Sequence, residues 1–201
     1  MNEGEKIAIT DGNGNLYTTA ITTIHKKKTA VKVIEKDHHE QRLPQHTIAI
    51  SLLKNAGRFE WFLEKATELG ISRIIPLICE RTEKHGFRYD RMQQICISAM
   101  LQSQQVFLPR VLEPVPYIKF FEKDYGLNKY IAHCLEDNNK MKLSQLTTTQ
   151  PVVILIGPEG DFTPAEISLA RVHQFVPVSL GKNRLRTETA ALVAALWLSM
   201  E

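Results

Sequence analysis

Long hydrophobic runs are missing from this chain. The longest, Ala190 to Leu198, falls far short of the roughly 18 residues that a membrane span requires. Met1-Asn2-Glu3-Gly4-Glu5-Lys6 has no apolar core and does not read as a signal peptide. Cysteine is scarce. Cys79, Cys96 and Cys134 lie far apart, form no CxxC pair and are odd in number. That excludes a disulfide frame and a zinc knuckle, and points to buried thiols in a reducing cytoplasm. A strong excess of one charge is also missing. A net charge of +3 permits a nucleic-acid partner but does not demonstrate one. Internal repeats are absent. With 43% hydrophobic and 23% charged residues, disorder is excluded for most of the chain. At about 150 residues per domain, 201 residues make one medium domain, or a main domain with a small addition.

What is there divides near residue 46. Ile7-Ala8-Ile9, Leu16 to Ile24 and Thr29 to Ile34 are rich in Thr, Val, Ile and Tyr, which predicts strands. Between them, Asp11-Gly12-Asn13-Gly14-Asn15 is a strong turn signal and His25-Lys26-Lys27-Lys28 a basic turn. Asp37 to Gln45 is polar, holds Pro44, and reads as a linker. From His46 strands and helices alternate. Strands are predicted at Thr47–Leu53, Ile71–Ile78, Tyr130–Cys134, Pro151–Ile156 and Phe175–Leu180. Helices are predicted at Arg58–Leu69, stopped by Gly70, then at Asp90–Val106, Tyr117–Lys123, Pro164–His173 and Thr187–Met200. This alternation predicts an α/β domain with a parallel sheet. The continuous apolar run Val152 to Ile156 fits a strand buried on both faces.

Two strand-to-helix segments carry the chemistry. In Gly157-Pro158-Glu159-Gly160-Asp161-Phe162-Thr163-Pro164-Ala165-Glu166, Thr163 reads as an N-cap, Pro164 as the first helical residue and Glu166 as the partner in a capping box. Gly157 and Gly160 let backbone approach a ligand without a Cβ clash. Ligands of open α/β sheets bind at the carboxyl ends of strands, where this loop falls. On local chemistry alone, a tight and well-capped turn is the favoured reading, because Gly-Pro-Glu-Gly is a short pattern. The glycine spacing fits neither a dinucleotide fingerprint nor a phosphate loop. In Ser179-Leu180-Gly181-Lys182-Asn183-Arg184-Leu185-Arg186-Thr187-Glu188, Thr187 reads as an N-cap. Lys182, Arg184 and Arg186 place cations at the positive end of a helix dipole. Such a conflict marks a place where function overrides stability, and a solvated basic loop explains it equally well.

LIGPEGDFTPAEI followed by LGKNRLRTETAALVAAL resembles the RsmE family, bacterial 16S rRNA uridine-N3 methyltransferases of the SPOUT superfamily that use S-adenosylmethionine. Arg58-Phe59-Glu60-Trp61, Glu64 to Ile71, Pro76-Leu77 and Glu80-Arg81 are similar to the family's upstream segments. The resemblance implies an α/β fold of SPOUT type, a parallel sheet with a C-terminal trefoil knot, over residues 47–201. It implies a truncated PUA-like β-barrel domain that binds RNA over residues 1–46, shorter than the family's usual barrel. It also implies a cytoplasmic homodimer acting on 16S rRNA of the small ribosomal subunit, with no metal and no membrane. The S-adenosyl-L-methionine pocket implied by motif match takes Gly157, Pro158, Glu159 and Gly160 from one loop. A second loop gives Leu180, Gly181, Asn183, Leu185 and Arg186, and His133 and Leu135 come from the end of a preceding strand.

In this reading Arg186 stabilises charge developing on the uridine, and Glu188 is a weaker candidate for accepting the N3 proton. For Glu188, stabilising the first helical turn is an equal alternative. The sequence departs from the family pattern in Ala99-Met100-Leu101-Gln102-Ser103-Gln104-Gln105, where an acidic element and a Gly-Arg pair are replaced. It departs again at Asp161, where a glycine is usual and aspartate tolerates positive φ. His38, His39 and His46 read as solvated histidines rather than metal ligands. Two other readings stay open: a SPOUT enzyme acting on another RNA, and a non-catalytic RNA-binding module.

Overall fold

The computed structural model describes residues 2–26, 28–41, 43–125, 128–136, 139–145 and 148–200. Met1 and Glu201, at the outer bounds of the expected domains, and Lys27 of the basic turn lie outside these residues.

The N-terminal sequence forms an antiparallel sheet of β1 (Lys6–Thr10), β2 (Asn15–His25) and β3 (Lys28–His38), in that order. Strand β3 runs to His38, so the linker begins later than its polarity suggested. Little of this sheet is buried: Ile21 and Thr19 are, while Val33 and Ile34 are each 52% exposed. The tight turn after β1 docks it onto the rest of the molecule. Asp11 accepts the N–H groups of Asn13 and Asn15. The Gly14 N–H then donates to Val106 O at 2.9 Å, and the Leu108 N–H to Gly12 O at 2.9 Å.

The larger part is a parallel sheet with helices on both faces. Its strands are β4 (Thr47–Ser51), β5 (Arg73–Ile78), β6 (Arg110–Val111), β7 (Val115–Pro116), β8 (Asn128–Ala132), β9 (Met141–Lys142), β10 (Val152–Ile156) and β11 (Val176–Ser179). Their order is β6-β5-β4-β10-β8-β11-β9, with β7 also beside β5. The central strands β4 and β10 are buried throughout, as continuous apolar runs predict. Side chains alternate between two cores. Val152, Ile154 and Ile156 join Phe59, Phe62, Leu63, Ala191, Ala194 and Ala195 on one face. Val153 and Leu155 join Tyr117, Phe120, Phe162 and Ile167 on the other.

The helices are α1 (Ala56–Glu68), α2 (Tyr89–Gln102), α3 (Tyr117–Phe120), α4 (Pro164–Val172) and α5 (Thr187–Ser199). Gly70 ends α1 as expected. At φ +76° it lets its own N–H reach Thr67 O and the Ile71 N–H reach Ala66 O, a left-handed helix stop. Gln105 completes that stop, its Nε2 donating to Thr67 O at 3.0 Å and Glu68 O at 2.7 Å. Helix α2 ends at Gln102 rather than Val106, because Gln104 turns to φ +55°. Strand β8 starts and stops two residues earlier than predicted, so His133 and Cys134 have left the sheet. His46, expected in solvent, is 8% exposed just ahead of β4. Cys79 and Cys96 are buried as expected, but Cys134 is exposed. Among the described residues no helix is long and apolar enough to cross a membrane, and no cluster of His, Cys, Asp or Glu could hold a metal ion.

Candidate functional site

Strands β10, β8 and β11 are neighbours, so the three segments leaving their carboxyl ends rise side by side. Together they enclose a cleft of about 690 Å³, within the range of small-molecule sites.

The loop after β10 is the most tightly built. Thr163 caps α4 in a complete capping box with Glu166, and Pro164 opens the helix, as the sequence predicted. The buried Glu166 carboxylate also accepts the Glu80 N–H at 2.9 Å, and Thr163 Oγ1 donates to Glu80 Oε2 at 3.1 Å. Pro158 O accepts the Asp161 N–H at 2.9 Å, closing a turn that leaves Asp161 at φ +64°. Both glycines make room for neighbouring protein side chains. A Cβ on Gly157 would lie 3.0 Å from the Phe162 ring, and one on Gly160 would lie 3.2 Å from Arg81 Cδ. Arg81 in turn donates to Gly160 O at 2.6 Å, and Glu159 accepts the Lys54 N–H at 3.1 Å.

The segment after β8 lies beside this loop. The Cys134 N–H donates to Asp161 Oδ2 at 2.8 Å. Lys140 Nζ donates to His133 O at 2.7 Å and to Leu135 O at 2.6 Å.

The loop after β11 closes the third side. Gly181 sits at φ +145° with open space where a Cβ would stand. Lys182, Asn183, Arg184, Leu185 and Arg186 all line the cleft. The N-cap of α5 is Arg186, with extended backbone and no side-chain cap; Thr187, expected there, is the first helical residue and is buried. A cap is set by backbone angles, and a threonine one position away satisfies the sequence pattern equally well. Four cations (Lys140, Lys182, Arg184 and Arg186) face two carboxylates (Glu159 and Asp161) around the cleft.

Of the residues singled out from sequence, His133, Gly157, Pro158, Glu159, Leu180, Gly181, Asn183, Leu185 and Arg186 line the cleft. Leu135, Gly160 and Glu188 do not. Leu135 is 45% exposed and contributes its carbonyl to Lys140. Glu188 is buried against α1, with Oε1 3.6 Å from Arg58 Nε. Sequence reasoning passed over Asp161 and Lys140 as cleft residues, while Lys182 and Arg184, marked there only as cations ahead of a helix, line the cleft as well. A charged residue in a left-handed turn position was the available signal for Asp161. Lys140 had none. A second cleft, of about 460 Å³, lies between the N-terminal sheet and the ends of α1 and α2; it holds none of the expected cofactor residues.

Comparison with known proteins places this geometry. An RNA methyltransferase domain model matches residues 39–199. The crystal structure of a ribosomal RNA small subunit methyltransferase E from Neisseria gonorrhoeae, bound to S-adenosyl methionine, is 32% identical. It superposes with a TM-score of 0.86, over 97% of this chain and 82% of that one. A probable rRNA-methyltransferase from Porphyromonas gingivalis is 35% identical with a TM-score of 0.92, over 98% and 84% of the two chains. A ribosomal RNA small subunit methyltransferase E from Synechocystis is 33% identical across 96% of this chain, which spans 65% of that relative's length. The chain thus belongs to the RNA methyltransferase family, among its ribosomal RNA small subunit methyltransferase E members.

Proposed function

We propose that this chain methylates N3 of a uridine in the 16S rRNA of the small ribosomal subunit, with S-adenosyl-L-methionine as the methyl donor. The observation that carries this reading is the convergence of three strand-end segments on one cleft with Arg186 at its edge. The N. gonorrhoeae relative, bound to the same cofactor, supports it.

The cleft suits the cofactor chemically. Ala132, Ile156, Val178, Leu180, Leu185 and Ala190 offer apolar surface, backbone groups offer hydrogen bonds, and Glu159 and Asp161 offer negative charge to a sulfonium and an ammonium. Gly157, Pro158, Glu159, Leu180, Gly181, Asn183, Leu185 and His133 would hold it. Gly160 and Leu135 act from behind, through Arg81 and Lys140. The bound cofactor supplies an electrophilic methyl on a sulfonium.

The chain's own work is to orient the base and favour its anion. N3 of uridine carries a proton and is a poor nucleophile until that proton leaves. Holding it about 3 to 3.5 Å from the methyl carbon removes most of the entropic barrier. Among the described residues no ion pair engages Arg186. Its guanidinium is therefore available to stabilise charge on O2 or O4 as the N3 proton passes to solvent water. Glu188 lies outside the cleft, and the proposal moves it from proton acceptor to a carboxylate that holds α5 against Arg58 of α1.

The same reading takes residues 1–46 as part of a PUA-like RNA-binding domain and 47–201 as a SPOUT domain with a trefoil knot near its C-terminus. Lys28 and Lys32 stand exposed on β3, two cations suited to phosphate. The proposed homodimer is supported by α5, whose outer side leaves Leu196 48% and Met200 70% exposed. Ribosomal RNA as substrate puts the enzyme in the cytoplasm.

The test is methylation of small-subunit RNA, whole 30S particles and tRNA in parallel, with mass spectrometry of the nucleosides. The account expects N3-methyluridine in small-subunit RNA. Methylation of tRNA alone contradicts the substrate. RNA binding without any methyl transfer makes the chain a non-catalytic module.

A further inference from the structure

At the edge of the cleft, the tripeptide His133-Cys134-Leu135 is held in an unusual way. The sheet ladder of β8 has ended at Ala132, so the backbone groups beyond it must find other partners. Three of them are taken by two charged side chains. Asp161 Oδ2 accepts the Cys134 N–H at 2.8 Å. Lys140 Nζ donates to the carbonyls of His133 and Leu135 at 2.7 and 2.6 Å. Both Asp161 and Lys140 line the cleft. Hydrogen bonds with an ionised partner are the shorter and stronger kind.

Asp161 is shaped for this role at a cost to its backbone. Its φ of +64° is a conformation that a Cβ disfavours and glycine adopts freely. Its other oxygen, Oδ1, accepts the Phe162 N–H at 2.9 Å, so the carboxylate is anchored to its own loop on one side. On the other side it reaches 27 residues back in sequence to the neighbouring loop. The two loops leave strands paired at Ile156 and Ala132. The carboxylate therefore fixes how far apart two walls of the cleft stand.

We infer that Asp161 and Lys140 are positioning residues for the cofactor: Asp161 ties the 133–135 backbone to the 157–161 loop, Lys140 braces that backbone from within its own segment, and together they set cofactor affinity. The inference rests on the reading of this cleft as the S-adenosylmethionine site. The other charge-bearing groups around the clamp are Glu159, Lys182, Arg184 and Arg186, all lining the same cleft.

The informative variant is Asp161→Gly. Glycine adopts φ +64° without strain, so the change removes the carboxylate and relaxes the backbone together. A clamp predicts that the dissociation constant and KM for S-adenosylmethionine rise about tenfold, as expected when one charge-assisted hydrogen bond is lost. The effect falls on KM rather than kcat, and the thermal midpoint holds or rises. Asp161→Asn, which keeps an acceptor oxygen, recovers part of the affinity. Lys140→Met weakens binding in the same sense. In the cofactor-free protein, amide hydrogen exchange at Cys134 speeds up in Asp161→Gly. Wild-type affinity in Asp161→Gly overturns the clamp, and so does an affinity loss that tracks a lower thermal midpoint and is not recovered by asparagine. A wild-type protein that binds no S-adenosylmethionine overturns instead the site reading beneath it, whatever Cys134 does.

Discussion

Arg186 and Gly157 show two ways in which a single residue matters here. Arg186 lines the cleft from the N-cap of α5, where its charge opposes the helix dipole and serves no cap. The account predicts that Arg186→Ala lowers single-turnover methyl transfer by about 10² to 10³, the usual loss when a preorganised charge stabiliser is removed. Cofactor affinity, measured by calorimetry, should change little in the same variant. Gly157 works by size. A Cβ there would sit 3.0 Å from the Phe162 ring and 3.1 Å from the Phe162 backbone nitrogen, and φ does not enter. Gly157→Ala should therefore cost about 1 to 3 kcal/mol of overpacking, read from denaturant unfolding. A neutral result would mean that the loop shifts at no cost.

At the scale of elements, the end of α1 offers the complementary case. A Cβ at Gly70 would make only an ordinary contact, with Gln105 Oε1 at 3.6 Å, but the backbone there has φ +76°. Gly70→Ala should cost about 1 to 2 kcal/mol from backbone strain alone, measured by chemical denaturation. Thr163→Ala should cost about 1 kcal/mol by removing the cap of α4. These two helix ends were legible in the sequence because their signals are local: Gly70 follows the last apolar residue of α1, and Thr163 stands three residues before Glu166. The continuous apolar run Val152 to Ile156 likewise revealed β10. Other elements left no such trace. Strands β6, β7 and β9 have two residues each, too few to show a period. The bonds from Asp161 to Cys134 and from Gln105 to the end of α1 join residues far apart in sequence, and no local pattern encodes them. The departure of Ala99 to Gln105 from the family pattern gains a local reason in this way, since Gln105 is occupied as a helix stop.

Across the whole molecule, burial couples stability to alkaline pH. Burial pushes the Cys79 thiol well above its ordinary 9.0, and does the same to Cys96 and to the Tyr117 phenol. A raised folded-state value contributes stability that is complete below the unfolded value and is lost as pH climbs past it. The thermal midpoint should fall progressively above about pH 9, with a shallower slope in Cys79→Ala. A flat profile to about pH 11 would mean that water reaches these groups. The cleft also exists only because the whole sheet is assembled, since its three walls come from strands that enter at residues 128, 152 and 176. Sequence motifs named residues in two of those walls and the family resemblance the third, whose exact start became definite only where β8 stops at Ala132. The central claim is that these three walls hold the cofactor, and diffraction from crystals grown with S-adenosylmethionine tests it most directly. The account predicts density between the loops, touching Gly157, Leu180, Gly181 and Leu185. Density in the other cleft, beside Gly70 and Phe107, with the three loops left bare, would contradict it.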